Sequence, residues 1–286
     1  MTYLIIVSLI WAFSFGLIGT TLHTINPGIV SALRLLLAFV VFAPLLRRTA
    51  PKTALKLIVI GAIQFGLMYL TYNWAFQFLH GHQVALLTVT TPFFVSAAHD
   101  LHTSRLSLRN TLLALAAVAG AAIVIGNQNY GFTRHALTGI ILTQISNLAF
   151  AGGQVAYRSL CRRNAMPQTF SADVGLFGWC YLGALLITLP FGLASWISHP
   201  PGITLYQLGA LLYLGVVASG LSFFMWNRGA RTASPAVLAV MNNLKIPLAV
   251  TASLLIFHEP VNLPRLLIGG SAVLAAAALA HYWASR

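Results

Sequence analysis

The sequence predicts an all-α integral membrane protein, with ten transmembrane helices arranged as two inverted five-helix repeats. Three observations carry that prediction. Hydrophobic residues fill 58% of the 286 positions and charged residues only 7%, whereas a soluble domain carries about 25% charged residues. Apolar runs follow one another along the whole chain, and about 20 mostly apolar residues suffice for a helix to cross a bilayer. The basic residues fall in alternate connections, as expected when Lys and Arg accumulate in short cytoplasmic loops.

The apolar runs occupy 2–21, 27–46, 54–79, 83–99, 107–127, 136–157, 170–196, 203–227, 234–257 and 263–284. The first lacks a basic leader and is followed at once by the second, so it reads as a retained helix rather than a cleaved signal peptide. Arg47, Arg48, Lys52 and Lys56 separate spans two and three, and Arg105 and Arg109 separate four and five. Arg158, Arg162 and Arg163 follow span six, Arg228 and Arg231 follow span eight, and Arg286 ends the sequence. The opposite loops hold only Arg134 and Arg265. A multi-pass chain with both termini inside satisfies this pattern. Ten spans leave no room for a soluble domain. Small-residue runs in span five (ALAAVAGAA) and span ten (GGSAVLAAAALA) predict close-packed helix faces, which are excluded from any cavity.

Five helices per half is an odd number, so the second half is inverted. Ala75 to Pro92 and Ala230 to Pro247 each cross 17 positions, from a helix end through a tight loop into the next helix. Inverted repeats meeting at the bilayer midplane are a common plan for secondary transporters. The expected boundaries are 1–132 for the first repeat and 133–286 for the second.

Several function classes are excluded. The net charge of +13 is dispersed over short loops, so anionic lipid rather than nucleic acid accounts for it. No G-x-x-x-x-G-K-[ST] is present for ATP hydrolysis. Asp100, Asp173 and Glu259 are the acidic residues, all near helix ends, which argues against a carboxylate proton relay and against an aspartyl protease. Cys161 and Cys180 give no metal spacing or disulfide framework, and His80, His82, His99 and His102 lack a cluster that would complete a metal site. No cofactor is expected, and the chain is not expected to be an enzyme. An intramembrane enzyme on lipid-linked substrates is the alternative class.

Lys245 is the sharpest candidate for substrate binding. A charge at the bilayer centre costs at least ~2.5–3.5 kcal/mol, so it faces a polar cavity. Asn242 lies three positions earlier on the same helix face. The pair can hold a carboxylate; alternatively, the cation caps carbonyls freed by Pro247. Arg34, about two turns into span two, can bind substrate, snorkel outward or pin its helix to a neighbour, and the structural role is favoured. Tyr69, Asn73 and Gln77 form a polar stripe on span three, with Tyr72 and Trp74 able to stack an aromatic ring or, for Trp74, to join an interfacial belt. Asn147 and Tyr213 add polar groups on spans six and eight. Pro92 and Pro247 interrupt helices near mid-membrane, as hinges or as static kinks.

The opening LIWAFSFGLIG, the segment SALRLLLAFV, the two Ala-to-Pro intervals and the ending LLIFHEPVNLPRLLIGG together resemble the drug/metabolite transporter superfamily. More narrowly, the chain is similar to its ten-helix EamA-type exporters. One departure is HDLHTSRLS, with Ser104 where members often have Glu. The resemblance implies a secondary transporter of the bacterial inner membrane working by alternating access. It implies export of amino acids, aromatic or neutral ones, and related metabolites. Its partners would be that small-molecule substrate and membrane lipid. A monomer driven by the substrate's own gradient, without proton coupling, is expected.

Overall fold

The computed structural model describes residues 2–103, 119–121, 123–124, 134–233 and 235–284. All regular structure among them is helical. Six helices there are long and apolar enough to cross a membrane: α1 (Thr2–Thr21), α2 (Pro27–Leu45), α3 (Pro51–Ala75), α5 (Arg134–Arg163), α6 (Phe170–Ser198) and α7 (Leu205–Thr232). Between α3 and α5, α4 is a broken helix, Gly81–Leu87 and Thr91–Thr103 joined by a 3-10 turn at Thr88–Thr90. Two further helices, α8 (Pro235–Leu255) and α9 (Leu263–Ala284), complete the described elements. The fifth apolar run lies largely outside the described residues; its residues 119–121 and 123–124 are helical. Ser104 and most of the connection after α4 also lie outside them.

Helix starts follow local chemistry. The Asn26 side chain accepts from Gly28 N at 2.8 Å, and Pro27 opens α2, where its missing N–H costs nothing. Thr204 and Gln207 cap α7 reciprocally, satisfying donors that a helix start leaves open. Among the described residues three helices carry π segments: Leu17–Thr21, Ala62–Leu67 and Tyr213–Leu221. Such segments shift side chains off the α-helical register and occur frequently at functional sites.

Packing of α3 on α6 depends on small residues. A Cβ at Gly61 would lie 1.8 Å from Cys180 O, and one at Gly183 would lie 1.9 Å from Ile58 O. Without hydrophobic driving force between helices in lipid, such backbone approach supplies the contact energy. Outward faces are apolar: Leu205 is 85% exposed and Ile197 80%, as lipid contact allows.

The acidic residues with described side chains sit at helix ends. Asp173, at the start of α6, is paired with Arg228 at 2.8 Å and with Arg231. Arg231 also donates to Met166 O and Pro167 O, tying the α5–α6 connection to the end of α7. Glu259, between α8 and α9, meets the start of α4.

Candidate substrate-binding cavity

The helices enclose a mid-depth cavity with about 510 Å³ of empty space, counting the part open at its mouth. Its polar wall begins with a proline. Pro92 has no N–H to give Thr88 O the usual helical bond. The chain tightens to a 3-10 turn, so Thr91 N–H bonds Thr88 O instead. Asn242 of α8 donates to the same carbonyl at 3.4 Å, and Asn147 of α5 donates to Leu87 O and Thr90 Oγ1, both at 3.0 Å. Asn147 thus commits both amide hydrogens to the break. Its Oδ1 remains an acceptor, and the residue lines the cavity.

Lys245 follows from the same construction. Asn242 Oδ1 accepts from Lys245 Nζ at 3.0 Å, so the asparagine that caps the break also aims the ammonium. Lys245 is 7% exposed and lines the cavity, with Nζ 5.2 Å from the centroid of the Trp11 ring. An ammonium has three donors, and one is used here.

Arg34 occupies the other buried position of positive charge in the wall. Its donors reach Ser219 Oγ at 3.1 Å, Asn73 Oδ1 at 3.2 Å and Tyr69 OH at 3.0 Å. Ser219 lies in the π segment of α7. The carbonyls of that segment are taken up by side chains: Ala218 O by Trp11 Nε1 at 3.0 Å, Ser219 O by Tyr181 OH at 2.7 Å. Asn73 is steadied by donating to Ser31 Oγ at 2.8 Å. Arg34 is therefore held and oriented by neutral oxygens while it faces the cavity.

Among the described residues, no carboxylate lines this cavity. Asp173 and Glu259 are occupied elsewhere. Aromatic rings form the apolar walls. Trp11 packs on Phe223 at 4.7 Å and Phe150 at 6.1 Å between centroids, and Tyr69 meets Tyr72 at 6.2 Å.

The sequence-selected residues divide by position. Lys245, Tyr69, Tyr72 and Asn147 line the cavity. Asn242 and Asn73 stand behind, orienting Lys245 and Arg34. Three lie away from the lining. Trp74 is 43% exposed, Gln77 reaches His23 O at 3.3 Å on the surface, and Tyr213 OH donates to Ile10 O at 3.2 Å. Pro92 follows the 3-10 break in α4, whereas α8 runs through Pro247 as one unbroken α-helix, so the interruption expected at Pro247 is not seen. Sequence reasoning did not select Trp11, Phe150 or Phe223, nor Arg34 as a lining residue. A signal existed for Trp11, a tryptophan deep in a span rather than in an interfacial belt. No group of three His, Cys, Asp or Glu residues suited to a metal occurs among the described residues.

Comparison with known proteins agrees with this architecture. The EamA-like transporter family matches twice, over residues 1–126 and 137–281. A "Probable biotin transporter" of Pseudomonas aeruginosa is 37% identical over 295 residues, covering 100% of this chain and 97% of its own length. The "Biotin transporter" of Escherichia coli K12 is 35% identical over 288 residues, covering 99% and 93%. A solved structure described as "Crystal structure of protein" superposes with a TM-score of 0.66 at 19% identity, covering 100% of this chain and 99% of its own; that likeness concerns the fold alone. The expectation of amino-acid export draws no support from the names of these relatives. The chain is a multi-pass membrane protein and a transporter rather than an enzyme, and it belongs to the EamA-like transporter family.

Proposed function

We propose that this chain carries a small organic carboxylate of the biotin class across the bacterial inner membrane, by facilitated transport with alternating access. One observation carries the reading: two buried cations, Lys245 and Arg34, line a cavity that no carboxylate lines among the described residues. Buried charge is costly unless paired, so such a wall favours an anion. An amino acid fits less well, because its ammonium would enter a field already positive. Biotin offers a carboxylate, a neutral polar ring and apolar flanks for Trp11, Phe150 and Phe223. Lys245 would anchor the carboxylate, with Asn242 aiming it. Arg34 would hold the potential positive, and Tyr69, Tyr72 and Asn147 would contact the body of the ligand.

The ten-helix arrangement of two inverted repeats, split at 1–132 and 133–286 with both termini inside, belongs to the same proposal. Support comes from the two family matches, one in each half, and from π segments near the middle of both α3 and α7. Pro92 and Pro247 are the proposed hinges. An anion without a co-transported cation moves charge, worth about 2.3 kcal/mol per 100 mV, so an inside-negative potential favours its outward movement.

Thermal unfolding of the purified protein tests substrate class. A ligand at 100 times its Kd stabilises by about 2.7 kcal/mol. Biotin should raise the melting temperature, whereas its neutral carboxamide and phenylalanine should not. Stabilisation by phenylalanine with none by biotin would return the amino-acid reading.

A further inference from the structure

The Glu259 carboxylate lies between α8 and α9 but makes its hydrogen bonds at the start of α4. Its Oε1 accepts from Gly81 N at 2.9 Å, and its Oε2 accepts from His82 N at 3.0 Å and meets His82 Nδ1 at 2.8 Å. The glutamate is 7% exposed. The contact is built into the surrounding backbone. A Cβ at Gly19 would lie 2.8 Å from Glu259 Oε1, and one at Gly81 2.7 Å from it. Phe257 fills the space over Gly16, where a Cβ would lie 2.0 Å from its ring. His258, between them, takes φ 50°, a left-handed backbone uncommon outside glycine that histidine adopts more readily than most residues.

This cluster lies beside one end of the cavity. Gly81 packs against the carbonyl of Phe15, and Phe15 lines the cavity. Gly19 is one helical turn beyond Phe15. Phe15 meets Tyr72 edge to face at 5.9 Å, and Tyr72 meets Phe76 at 5.0 Å. The carboxylate therefore bonds the α8–α9 connection to the start of α4, close against Gly19 of α1 and beside the rings at that end. These elements come from opposite ends of the sequence. Any movement that parts the start of α4 from the α8–α9 connection breaks these three bonds.

We propose that Glu259 and the start of α4 form a latch that closes the cavity on the side opposite the basic loops, and that the latch must release in each transport cycle. The proposal rests on the chain being a transporter and not on the identity of its substrate. Glu259 acts through the helix that it holds, as a positioning residue.

The test uses the full-length protein in proteoliposomes of known orientation, with Cys161 and Cys180 replaced and Ser14→Cys, in the cavity wall, as reporter. A membrane-impermeant maleimide is applied from each side in turn. Glu259→Gln should speed labelling from the side opposite the basic loops at least tenfold while leaving the other side unchanged or slower. His82→Leu removes one bond and keeps both backbone N–H donors, so it should fold and give a smaller rise on the same side. Glu259→Asp, which keeps the charge, should restore slow labelling in part. Equal rates for reporter alone and both variants would overturn the latch. So would a rise of equal size on both sides, because that is loosened packing. If Glu259→Gln does not fold, His82→Leu decides alone, by a one-sided rise or its absence.

Discussion

Replacing Lys245 with methionine should separate binding from stability. Methionine keeps the length of the side chain and removes the charge. The ligand loses a charge-assisted hydrogen bond, worth about 1.5–3 kcal/mol. At 1.4 kcal/mol per tenfold change, biotin affinity falls roughly 10- to 150-fold. Folding terms oppose one another. Asn242 Oδ1 loses the Nζ donor at 3.0 Å, costing about 1–3 kcal/mol if nothing replaces it. The contact with the Trp11 ring at 5.2 Å is lost, worth about 0.5–2 kcal/mol. Against these, removing a charge midway along α8 returns about 2.5–3.5 kcal/mol. No carboxylate is stranded, since none lines the cavity among the described residues. Stability should therefore change by no more than about 2.5 kcal/mol in either direction. Equilibrium binding of radiolabelled biotin and thermal unfolding of the same detergent-purified preparation read the two quantities. Affinity within about twofold of the unmodified protein would refute the anchoring role. Loss of the folded protein would make Lys245 a structural cation instead.

Arg34→Lys should not be tolerated. A lysine cannot span Ser219, Asn73 and Tyr69 with one fork, because only guanidinium has that planar donor set, so melting temperature and biotin binding should both fall. Acid should weaken the contact of Glu259 with α4. Burial pushes its carboxyl up, but hydrogen bonds from the His82 side chain and the backbone of His82 and Gly81 outweigh that and hold it below the ordinary range. The stabilisation is therefore present above the ordinary carboxylate pKa and lost as pH falls through the lowered value, and Glu259→Gln should flatten the acid limb of a melting-temperature profile. For topology, single cysteines at the exposed positions Arg48 and Arg163 should label from the cytoplasmic face, and one at Gly202, open to its surroundings, from the other; a reversed pattern at any of them breaks the N-in arrangement.

The helical spans were readable because a backbone in lipid must satisfy its own hydrogen bonds. Apolar length alone then marks α1, α2, α3, α6 and α7. The broken α4 was half-readable: Pro92 announces a break, but not that Asn147 and Asn242 converge on it from distant helices. The π segment at Tyr213–Leu221 left no mark that sequence reasoning used. Ser219, which accepts from Arg34, lies in that segment, so the sequence favoured a helix-pinning role for Arg34 over substrate binding. The stripe Tyr69, Asn73, Gln77 was correct as a helix face but too long for one site. Each step of four residues climbs about 6 Å, so Tyr69 reaches the cavity, Asn73 supports Arg34, and Gln77 has already arrived at the surface. The proposed substrate class departs from the amino-acid expectation for a related reason. A lone lysine suits any carboxylate, including that of an amino acid, and only the tertiary structure brings a second cation into the same wall.

Counterflow in proteoliposomes containing only this protein tests the central claim most directly. Vesicles loaded with unlabelled biotin should transiently accumulate external radiolabelled biotin, and loading with its neutral carboxamide or with phenylalanine should give no accumulation. Accumulation of labelled phenylalanine in phenylalanine-loaded vesicles, with none of biotin in biotin-loaded ones, would contradict the account.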